Sequence, residues 1–439
     1  MARGAAVGAV TTWGGAVLGS VSVGRWAARW ARIGPDTAEA ARYRRSVPAA
    51  LVATLVPMAV LACIVGGALD LHVYRTGGTA WLKGISLYAP EFGLLVPGGP
   101  LPFTYPPFAA IVFAPVSWLP WHVAKAVMCL VSAASIVLTA LIVAGRRHGR
   151  GKVALATALG VSVLWFAFEP VRQTVSFGQI NLILMVLVAA DCLLPRTWWP
   201  RGVLVGVAAA VKLTPAVFVV FFLVRRQYRA AAVSVAAFAA CGLLAFALAP
   251  GDSVEYWTST LFDPSRIGGA AYAFNQNIQA ILVRLLPAGP GRSLLWLVLA
   301  AAAMALAVVG ARRAHRAGDP VTALLLIATG GLLASPVSWS HHWVWVLPAA
   351  VVAFDVARRG GTAVRAAAVL MAVVFAAGPH GFLPQTHDLE LHWTWWQHLL
   401  GSSYVLIAVA VLIRLAVRPL AMPGTREESP AKEPDKLPG

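Results

Sequence analysis

The sequence predicts an all-α protein that crosses a lipid bilayer many times. Of its 439 residues, 59% are hydrophobic and only 12% are charged, whereas a soluble domain averages about 25% charged residues. Apolar runs of about 20 residues recur along the chain with short basic stretches between them, a pattern typical of successive transmembrane segments. Because backbone polar groups in lipid must be hydrogen-bonded within their own segment, these spans are expected to be helices.

The two ends of the chain are predicted to lie outside the membrane domain. Residues 1–46 hold an apolar, glycine-rich stretch that is followed, not preceded, by arginines. This order argues against a signal peptide and predicts a basic cytoplasmic tail, partly disordered. Residues 47–418 hold the spans. Residues 419–439 are polar and rich in proline, which predicts a disordered cytoplasmic tail.

The net charge of +18 is interpreted as a signal of membrane topology. In a soluble protein it would suggest nucleic acid, but here the basic residues lie in short loops, as they do on the cytoplasmic side of membrane proteins. No nucleic-acid partner is expected. The four cysteines lie within apolar runs, where packing is a better explanation than a disulfide framework. After the N-terminal tail, the basic clusters assigned to the cytoplasm are Arg146–Lys152, Arg225–Arg229, Arg312–Arg316, Arg358–Arg365 and Arg414–Arg418.

Two of the apolar runs do not fit a single straight crossing. The run 203–224 is interrupted by Lys212–Pro215, and a mid-membrane lysine and a proline both disfavour a continuous helix. We expect two short helices there that enter and return, which gives about twelve spans. The run 105–144 is too long for one crossing, so we expect a kink at Pro115 and Pro120 or a start in the interface. The predicted spans lie near 48–69, 105–144, 153–168, 178–194, 203–224, 230–249, 293–311, 320–334, 342–357, 363–379 and 399–417.

This topology places three long loops on the extracytoplasmic face, at 70–104, 250–292 and 380–398. They are rich in aromatic residues, which suit either the membrane interface or sugar stacking. Most of the polar residues outside the tails also lie there, which predicts an active site on that face. They include Asp70, His72, Tyr74, Arg75, Lys83, Glu91, Asp252, Glu255, Asp263, Arg266, Asn275, Gln276, His380, His387, Asp388, Glu390, His392 and His398.

Asp70 is the first acidic residue after the apolar run Val47–Leu69. A carboxylate where lipid meets water is well placed to act as a base on a substrate with a lipid tail. It also suits the N-cap of a helix over residues 71–83, a segment that resembles an interfacial amphipathic helix. The two roles are compatible, and the residues alone leave both open.

Two further polar segments stand at the heads of apolar runs. The segment Leu101–Phe108 contains two prolines that fix a helix start, either to aim Tyr105 at a cavity or simply to begin the helix. Polar side chains in Glu169–Asn181 are costly against lipid. They are expected to line a cavity or to pair with each other, with Glu169 and Arg172 as the obvious pair.

Two more segments carry candidate phosphate ligands. In Ser335–Trp343, the adjacent His341 and His342 point to different helix faces and have no Cys or His partner at metal spacing. A hydrogen bond to a lipid phosphate therefore explains them better than zinc. In the segment Phe262–Asn277, Arg266 either binds a phosphate or forms a salt bridge with Asp263.

Taken together, these segments resemble glycosyltransferase family 87, which includes the actinobacterial polyprenyl-phosphate-mannose-dependent α-(1→2)-mannosyltransferases. The resemblance covers about residues 60–350, and its motifs follow in the family's order. They are Asp70–Arg75 with Gly78, Leu87–Tyr88, Phe103–Phe108, Gly178–Asn181, Lys212–Pro215, Phe274–Gln276 and Ser335–His342.

The resemblance implies a GT-C fold of about twelve transmembrane helices, with short interfacial helices in the extracytoplasmic loops, in the plasma membrane. It implies an inverting transfer of mannose from polyprenyl-phosphate-mannose to a membrane-anchored glycolipid acceptor of the phosphatidylinositol mannoside or lipomannan type. Asp70 would be the general base. The family associates a histidine of the Ser335–His342 segment with the site, and the doublet leaves open which one. The proposed donor- or acceptor-binding residues are His341, His342, Arg266, Tyr105, Arg75, Gln179, Lys212 and Asn275.

The chemistry agrees with this resemblance. A sugar on a lipid phosphate is already activated, and the sequence has no Gly-Lys-Ser/Thr loop for a nucleotide. One base and one group that stabilises the departing phosphate are sufficient, so no cofactor and no metal are expected.

Two rival functions remain at this stage. A transferase of the same fold with polyprenyl-phosphate arabinose or glucose as donor would carry similar motifs. A flippase or transporter of lipid-linked sugars would need paired broken helices and midplane charges. Only Lys212, with Asp191 near a span end, provides such a charge. A non-catalytic scaffold leaves the polar clusters unexplained.

Overall fold

The computed structural model describes residues 38–65, 67–149 and 151–418. The predictions for 1–37 and 419–439 lie outside these residues. The chain divides between Ala49 and Ala50 into two units. Of the first unit, the described part is helical from Ala38 onward, within the segment that was predicted to be a tail. Apart from the start of this helix, everything below concerns the second unit.

The described residues form eighteen α-helices joined by loops and short 3₁₀-helices, and they contain no β-strand. The all-α prediction is therefore confirmed. The helices are α1 Ala38–Val65, α2 Leu69–Leu82, α3 Pro107–Ser117, α4 Trp121–His148, α5 Lys152–Val163, α6 Glu169–Phe177, α7 Asn181–Leu193, α8 Val203–Val211, α9 Phe218–Val224, α10 Tyr228–Leu248, α11 Pro250–Thr258, α12 Ile278–Leu285, α13 Pro290–Arg316, α14 Pro320–Ala334, α15 Val346–Arg359, α16 Thr362–Ala377, α17 Trp395–Gly401 and α18 Ser403–Val417. The 3₁₀-helices are Pro90–Leu95, Leu164–Ala167, Thr214–Val217, Thr260–Phe262, Pro264–Ile267, Ser340–Trp345, Pro379–Phe382 and Leu389–His392.

Three of the described helices, α4, α10 and α13, are long and apolar enough to cross a membrane. Two bent pairs bring this to five spans if each pair counts as one: α5 and its 3₁₀ extension with α6, bent by 72°, and α17 with α18, bent by 68°. Large apolar side chains remain exposed on such helices, as with Leu243, which is 71% exposed. A membrane protein is supported, and the number of about twelve spans stays a prediction.

The predicted break at Lys212 is confirmed. Helix α8 ends at Val211, Lys212 has an extended backbone (φ −150°, ψ 125°), and the chain resumes in the 3₁₀-helix Thr214–Val217. Pro215 cannot donate an amide hydrogen to a continuous helix, so the backbone opens here. The enter-and-return path stays a prediction.

The long run 105–144 is divided between Ser117 and Trp121, where α3 ends and α4 begins. Pro120 lies in this break, and Pro115 lies inside α3.

Helix α2 packs closely against α3. A Cβ atom on Gly78 would lie 2.8 Å from the Cα atom of Ala114, so only glycine permits this approach. The rings of Tyr74 and Phe113 stack with their centroids 4.2 Å apart. These contacts fix the position of α2, the helix that carries Asp70.

Asp191 has a structural role. Its carboxylate accepts hydrogen bonds at 3.0 Å from the backbone N–H groups of Gly202 and Val205, at the start of α8. The indole N–H of Trp199 donates to it as well, also at 3.0 Å. The charge of Asp191 is thus used to hold a helix N-terminus, so Asp191 gives no support to the transporter alternative.

Candidate active site

Asp70 lies in the first turn of α2 and does not cap it. The N-cap is Ala68, which adopts a left-handed backbone (φ 37°, ψ 49°), and its N–H donates to the carbonyl of Ser176 at 3.1 Å. This contact with α6 starts the helix earlier than predicted, so the N-cap prediction for Asp70 is wrong. Its carboxylate instead accepts a hydrogen bond at the Oδ2 atom from the side-chain amide of Gln179, at 3.0 Å.

Gln179 is brought to Asp70 by the turn that ends α6. Gly178 has a left-handed backbone (φ 62°), and the N–H of Gln179 bonds to the carbonyl of Thr174 at 2.9 Å, which closes the helix. A Cβ on Gly178 would lie 2.9 Å from the Cβ of Leu71. Glycine therefore provides both the turn and the close approach of α2.

Two tyrosines complete the cluster around Asp70. The Gln179 amide donates to the Tyr105 hydroxyl at 3.2 Å, and the Tyr74 hydroxyl donates to Gln179 Oε1. The two hydroxyl oxygens are 3.1 Å apart. The structure thus brings together three of the candidate residues, Asp70, Gln179 and Tyr105. Tyr74 was not among the candidates, although its position one helical turn after Asp70 was a readable signal.

Lys212 joins a second cluster next to the first. Its ammonium donates to Asn181 Oδ1 at 2.9 Å and lies 3.2 Å from His342 Nε2. The same ammonium lies 5.5 Å from the centroid of the Tyr105 ring, over its face. Asn181 follows Gln179 by two residues, so a single turn contributes to both clusters.

The two histidines of the doublet have different surroundings. The backbone carbonyl of His341 accepts hydrogen bonds from Thr174 at 2.9 Å and from Asn181 at 2.8 Å, and its ring packs edge-on against Phe177. His342 is the one that contacts Lys212. His341 therefore anchors the segment, and His342 joins the polar cluster.

A mainly apolar cavity of about 350 Å³ adjoins the Lys212 cluster. Its volume is within the range of about 300–1,000 Å³ found for small-molecule sites. Asn181 and His342, the two partners of Lys212, are among its lining residues. His342 Nδ1 and the Ser338 hydroxyl are buried without a hydrogen-bond partner. The cavity, the Lys212 cluster and the Asp70 cluster are therefore consecutive neighbours.

The half-buried position of Asp70 changes its acidity. Burial raises the pKa of Asp70 to about 6, against the opposing effects of the Lys212 charge and the Gln179 hydrogen bond, which both lower it. A carboxylate with a pKa near the working pH can accept a proton and release it again, as a general base requires. Among the described residues, no three potential metal-ligating side chains come together.

The predicted pair of Glu169 and Arg172 is wrong. Glu169 is buried and accepts hydrogen bonds from the Ser340 hydroxyl at 2.8 Å and the Tyr404 hydroxyl at 2.9 Å, with His380 Nε2 at 3.8 Å. Arg172 does not pair with Glu169, because its guanidinium donates to the main-chain carbonyls of residues 166, 167 and 376. The hydrogen bond from Ser340 to Glu169 therefore connects α6 to the segment that contains His341 and His342.

The two candidate arginines, Arg75 and Arg266, do not join the Asp70 cluster. Arg75 donates to the carbonyl of Leu119 at 2.6 Å, beyond the end of α3. Arg266 donates to the carbonyl of Tyr88 at 2.9 Å, and the Tyr88 hydroxyl donates to the carbonyl of Tyr105 at 2.7 Å. Arg266 is thus connected to the site through Tyr88, by backbone contacts.

Asn275 likewise supports a loop. It forms the isolated bridge with Trp339, and its Oδ1 atom accepts from the Ser338 N–H at 3.0 Å. The neighbouring Phe274 carbonyl accepts from the Ser340 N–H at 2.8 Å. These contacts fix the backbone that leads into the two histidines.

Comparison with known proteins agrees with the resemblance seen in the sequence. The sequence model of glycosyltransferase family 87 matches residues 103–336. A protein of Mycobacterium tuberculosis is 40% identical over 79% of this chain and 83% of its own length, and one of Mycolicibacterium smegmatis is 43% identical over 79% and 82%. Both are named polyprenol-phosphate-mannose-dependent α-(1-2)-phosphatidylinositol mannoside mannosyltransferase.

A further relative in Mycolicibacterium smegmatis, named as the corresponding phosphatidylinositol pentamannoside mannosyltransferase, is 35% identical over 72% of this chain and 77% of its own length. No solved structure matches the chain with significance. The family match covers more than half of the chain, and the relatives extend it. The chain belongs to glycosyltransferase family 87.

Proposed function

We propose that this protein transfers mannose from polyprenyl-phosphate-mannose to a hydroxyl of a membrane-anchored phosphatidylinositol mannoside or related lipoglycan. The new linkage is α-(1→2), and the anomeric configuration is inverted. The names of its relatives support the donor, the acceptor class and the linkage. The helical apolar fold suits two lipid-anchored substrates.

The observation that carries the proposal is the order of three neighbouring features: the apolar cavity, the Lys212 cluster and the Asp70 cluster. A donor of this class has an apolar chain, then a phosphate, then a sugar whose anomeric carbon meets the acceptor hydroxyl. The cavity suits the chain, Lys212 suits the phosphate and Asp70 suits the hydroxyl. The three features of the protein match the three parts of the donor in chemical character, and they follow one another in the same order.

In this proposal, Lys212 and His342 bind the phosphate of the donor. An ammonium beside a departing phosphate stabilises the negative charge that develops there, and a hydrogen bond to a charged group is stronger than one between neutral groups. The buried Nδ1 atom of His342 has no protein partner, so it can also bond to the phosphate. This contact would satisfy a polar group that is costly to leave unpaired.

The reaction needs one base. Asp70 takes the proton of the acceptor hydroxyl while the hydroxyl oxygen forms its bond to the anomeric carbon. The bond from that carbon to the phosphate oxygen breaks, and both of its electrons leave with the polyprenyl phosphate. Attack from the side opposite the phosphate converts a β-linked donor into an α-linked product. The proton on Asp70 then passes to water.

We place this site on the extracytoplasmic face of the plasma membrane. The support is the distribution of lysine and arginine, which puts the loops with Asp70 opposite the basic loops.

The test is a transfer assay with the purified, detergent-solubilised full-length protein. Polyprenyl-phosphate-mannose is compared with the corresponding glucose and arabinose donors, with phosphatidylinositol mannosides as acceptors. We expect a product one hexose heavier from the mannose donor, sensitive to an α-(1→2)-specific mannosidase. Faster transfer of glucose or arabinose would contradict mannose as the donor sugar. Resistance of the product to the mannosidase would contradict the α-(1→2) linkage.

A further inference from the structure

We propose that Tyr74 is a positioning residue for catalysis: its hydroxyl fixes the side-chain amide of Gln179, and this amide holds the carboxylate of Asp70 in place. The inference rests on the proposed function, in which Asp70 is the base. It concerns residues that hold the base and do not themselves touch the reacting atoms.

The amide of Gln179 has all of its hydrogen-bonding positions filled. Its oxygen accepts from the Tyr74 hydroxyl and, at 2.9 Å, from the Ile180 N–H. Its nitrogen donates to Asp70 Oδ2 at 3.0 Å and to the Tyr105 hydroxyl at 3.2 Å. An amide offers two donors and two principal acceptor positions, and these four contacts use them all. The Tyr105 hydroxyl also lies 3.4 Å from Oε1, which is farther than its 3.2 Å contact with the nitrogen.

Only one orientation of this amide is compatible with its neighbours. If oxygen and nitrogen were exchanged, the NH₂ group would face the Ile180 N–H and the oxygen would face the Asp70 carboxylate. Donor would then meet donor and acceptor would meet acceptor. The hydrogen-bonding network therefore determines the assignment, and Gln179 always presents an N–H to Asp70.

Tyr74 is itself rigidly held. It is fully buried, its ring stacks on Phe113 at 4.2 Å, and its hydroxyl oxygen is 3.3 Å from the Ile180 nitrogen, which donates to it. Its hydroxyl donates to Gln179 Oε1, which is closer to it than the Tyr105 hydroxyl oxygen at 3.1 Å. It lies one turn after Asp70 on α2, so the base and the residue that positions it share one helix, a rigid element of the kind on which accurate sites are built.

The arrangement leaves one carboxylate oxygen available. Gln179 occupies Oδ2, and among the residues that the structure describes no donor bonds to Oδ1. A carboxylate held at one oxygen keeps the other directed at a fixed point, where an acceptor hydroxyl can meet it. Positioning of this kind contributes to rate because displacement of a catalytic group by about 1 Å can cost about a hundredfold.

The experiment compares Tyr74→Phe and Gln179→Met with the control Tyr256→Phe. Tyr256 is a buried tyrosine whose ring lies 5.6 Å from Tyr88, outside the hydrogen-bonded cluster. For each purified variant, kcat and KM for transfer from polyprenyl-phosphate-mannose are measured from about pH 4.5 to about pH 8.5. This range lies on both sides of the pKa of Asp70, which burial raises to about 6.

Tyr74→Phe is expected to lower kcat about tenfold, and Gln179→Met about a hundredfold, with KM changed less than about twofold. The acidic limb of the kcat profile should move to higher pH by up to about one unit, because a hydrogen bond that favours the carboxylate is weakened or lost. Tyr256→Phe should change neither quantity. A residue that only supports the fold would lower the amount of active protein without moving this limb.

The inference is overturned if Tyr74→Phe matches Tyr256→Phe in both kcat and acidic limb. If Tyr74→Phe does not fold, Gln179→Met decides, and an unmoved limb in that variant overturns the inference. The failure of the proposed function is a separate result: an Asp70→Asn variant with near wild-type kcat refutes the base itself, whatever the Tyr74 variants show.

Discussion

Two clusters of charged side chains, one fully buried and one partly buried, are built in opposite ways. Arg147, at the end of α4, donates to Asp319 at 2.7 Å and to Asp355 at 2.6 Å, so it meets two carboxylates directly. Lys212 instead meets the neutral Asn181 and His342, and Asp70 meets the neutral Gln179. Within the residues that the structure describes, no ion pair joins Asp70 and Lys212.

Under the proposed function, the difference separates charges used for structure from charges that act in the reaction. Asp319 also caps α14, through the N–H of Thr322 at 2.9 Å, so the Arg147 cluster ties together α4, α14 and α15. Removing one member of such a buried pair is strongly destabilising. Asp70 and Lys212 have no such mutual contact among the described residues, which agrees with the proposal that each acts on a substrate. Perturbed charges in this situation are typical of functional sites.

The largest effect is expected from Asp70→Asn. The amide keeps the size of the side chain and cannot accept the hydroxyl proton, so kcat should fall about 10²–10⁴-fold. Glu255→Gln is the control, since Glu255 is exposed on α11 and loses the same charge. Transfer of mannose per folded protein is the measurement. Activity near wild type in Asp70→Asn would show that Asp70 is not the base and that its role is structural, like that of Asp319 and Asp355.

The second effect compares Lys212→Met with Arg147→Met. Lys212→Met should lower kcat about 10²-fold because the departing phosphate loses its cation, with little change in thermal unfolding. Arg147→Met leaves the buried carboxylates of Asp319 and Asp355 without their arginine partner. It should destabilise the fold by about 3–5 kcal/mol while kcat per folded molecule is retained.

Thermal unfolding in detergent and kcat, measured on the same samples, separate the two outcomes. A stable but inactive Arg147→Met variant would contradict the structural role of Arg147. A destabilised Lys212→Met variant with normal kcat would contradict the catalytic role of Lys212.

The smallest effect concerns pH. Because burial raises the pKa of Asp70 to about 6, the carboxylate is the main form above that pH and is lost below it. We expect kcat to fall about tenfold per pH unit below pH 6 and to be flat just above it. In Lys212→Met the limb should lie higher, because the Lys212 charge lowers this pKa. A limb near pH 4 in the wild type would mean that Asp70 is more solvated than the structure indicates.

Sequence patterns predicted the features that depend on local chemistry. Hydrophobic runs predicted the helices, and Lys212 and Pro215 predicted the break between α8 and α9, because proline acts on its own backbone. The segment Gly178–Asn181 was recognised as important, and the structure places Gln179 against Asp70 and Asn181 against Lys212.

The features that were missed depend on distant partners. The N-cap role that the sequence left open for Asp70 is wrong, because a contact between Ala68 and Ser176, far apart in the sequence, starts the helix earlier. Glu169 was paired with its near neighbour Arg172, whereas its partners Ser340 and Tyr404 lie more than 170 residues away. Such pairings arise from helix packing, which sequence spacing does not encode.

The turn at Gly178 has a consequence for what this site can accept. Gln179, which touches Asp70, and Asn181, which touches Lys212, are separated by a single residue of backbone. Under the proposed function, this stretch sets the distance between the point where a proton is taken and the point where negative charge departs. An insertion of one residue after Gly178 would change that distance without altering any of these side chains. We therefore expect the size of the transferred group to depend on chain length at this turn.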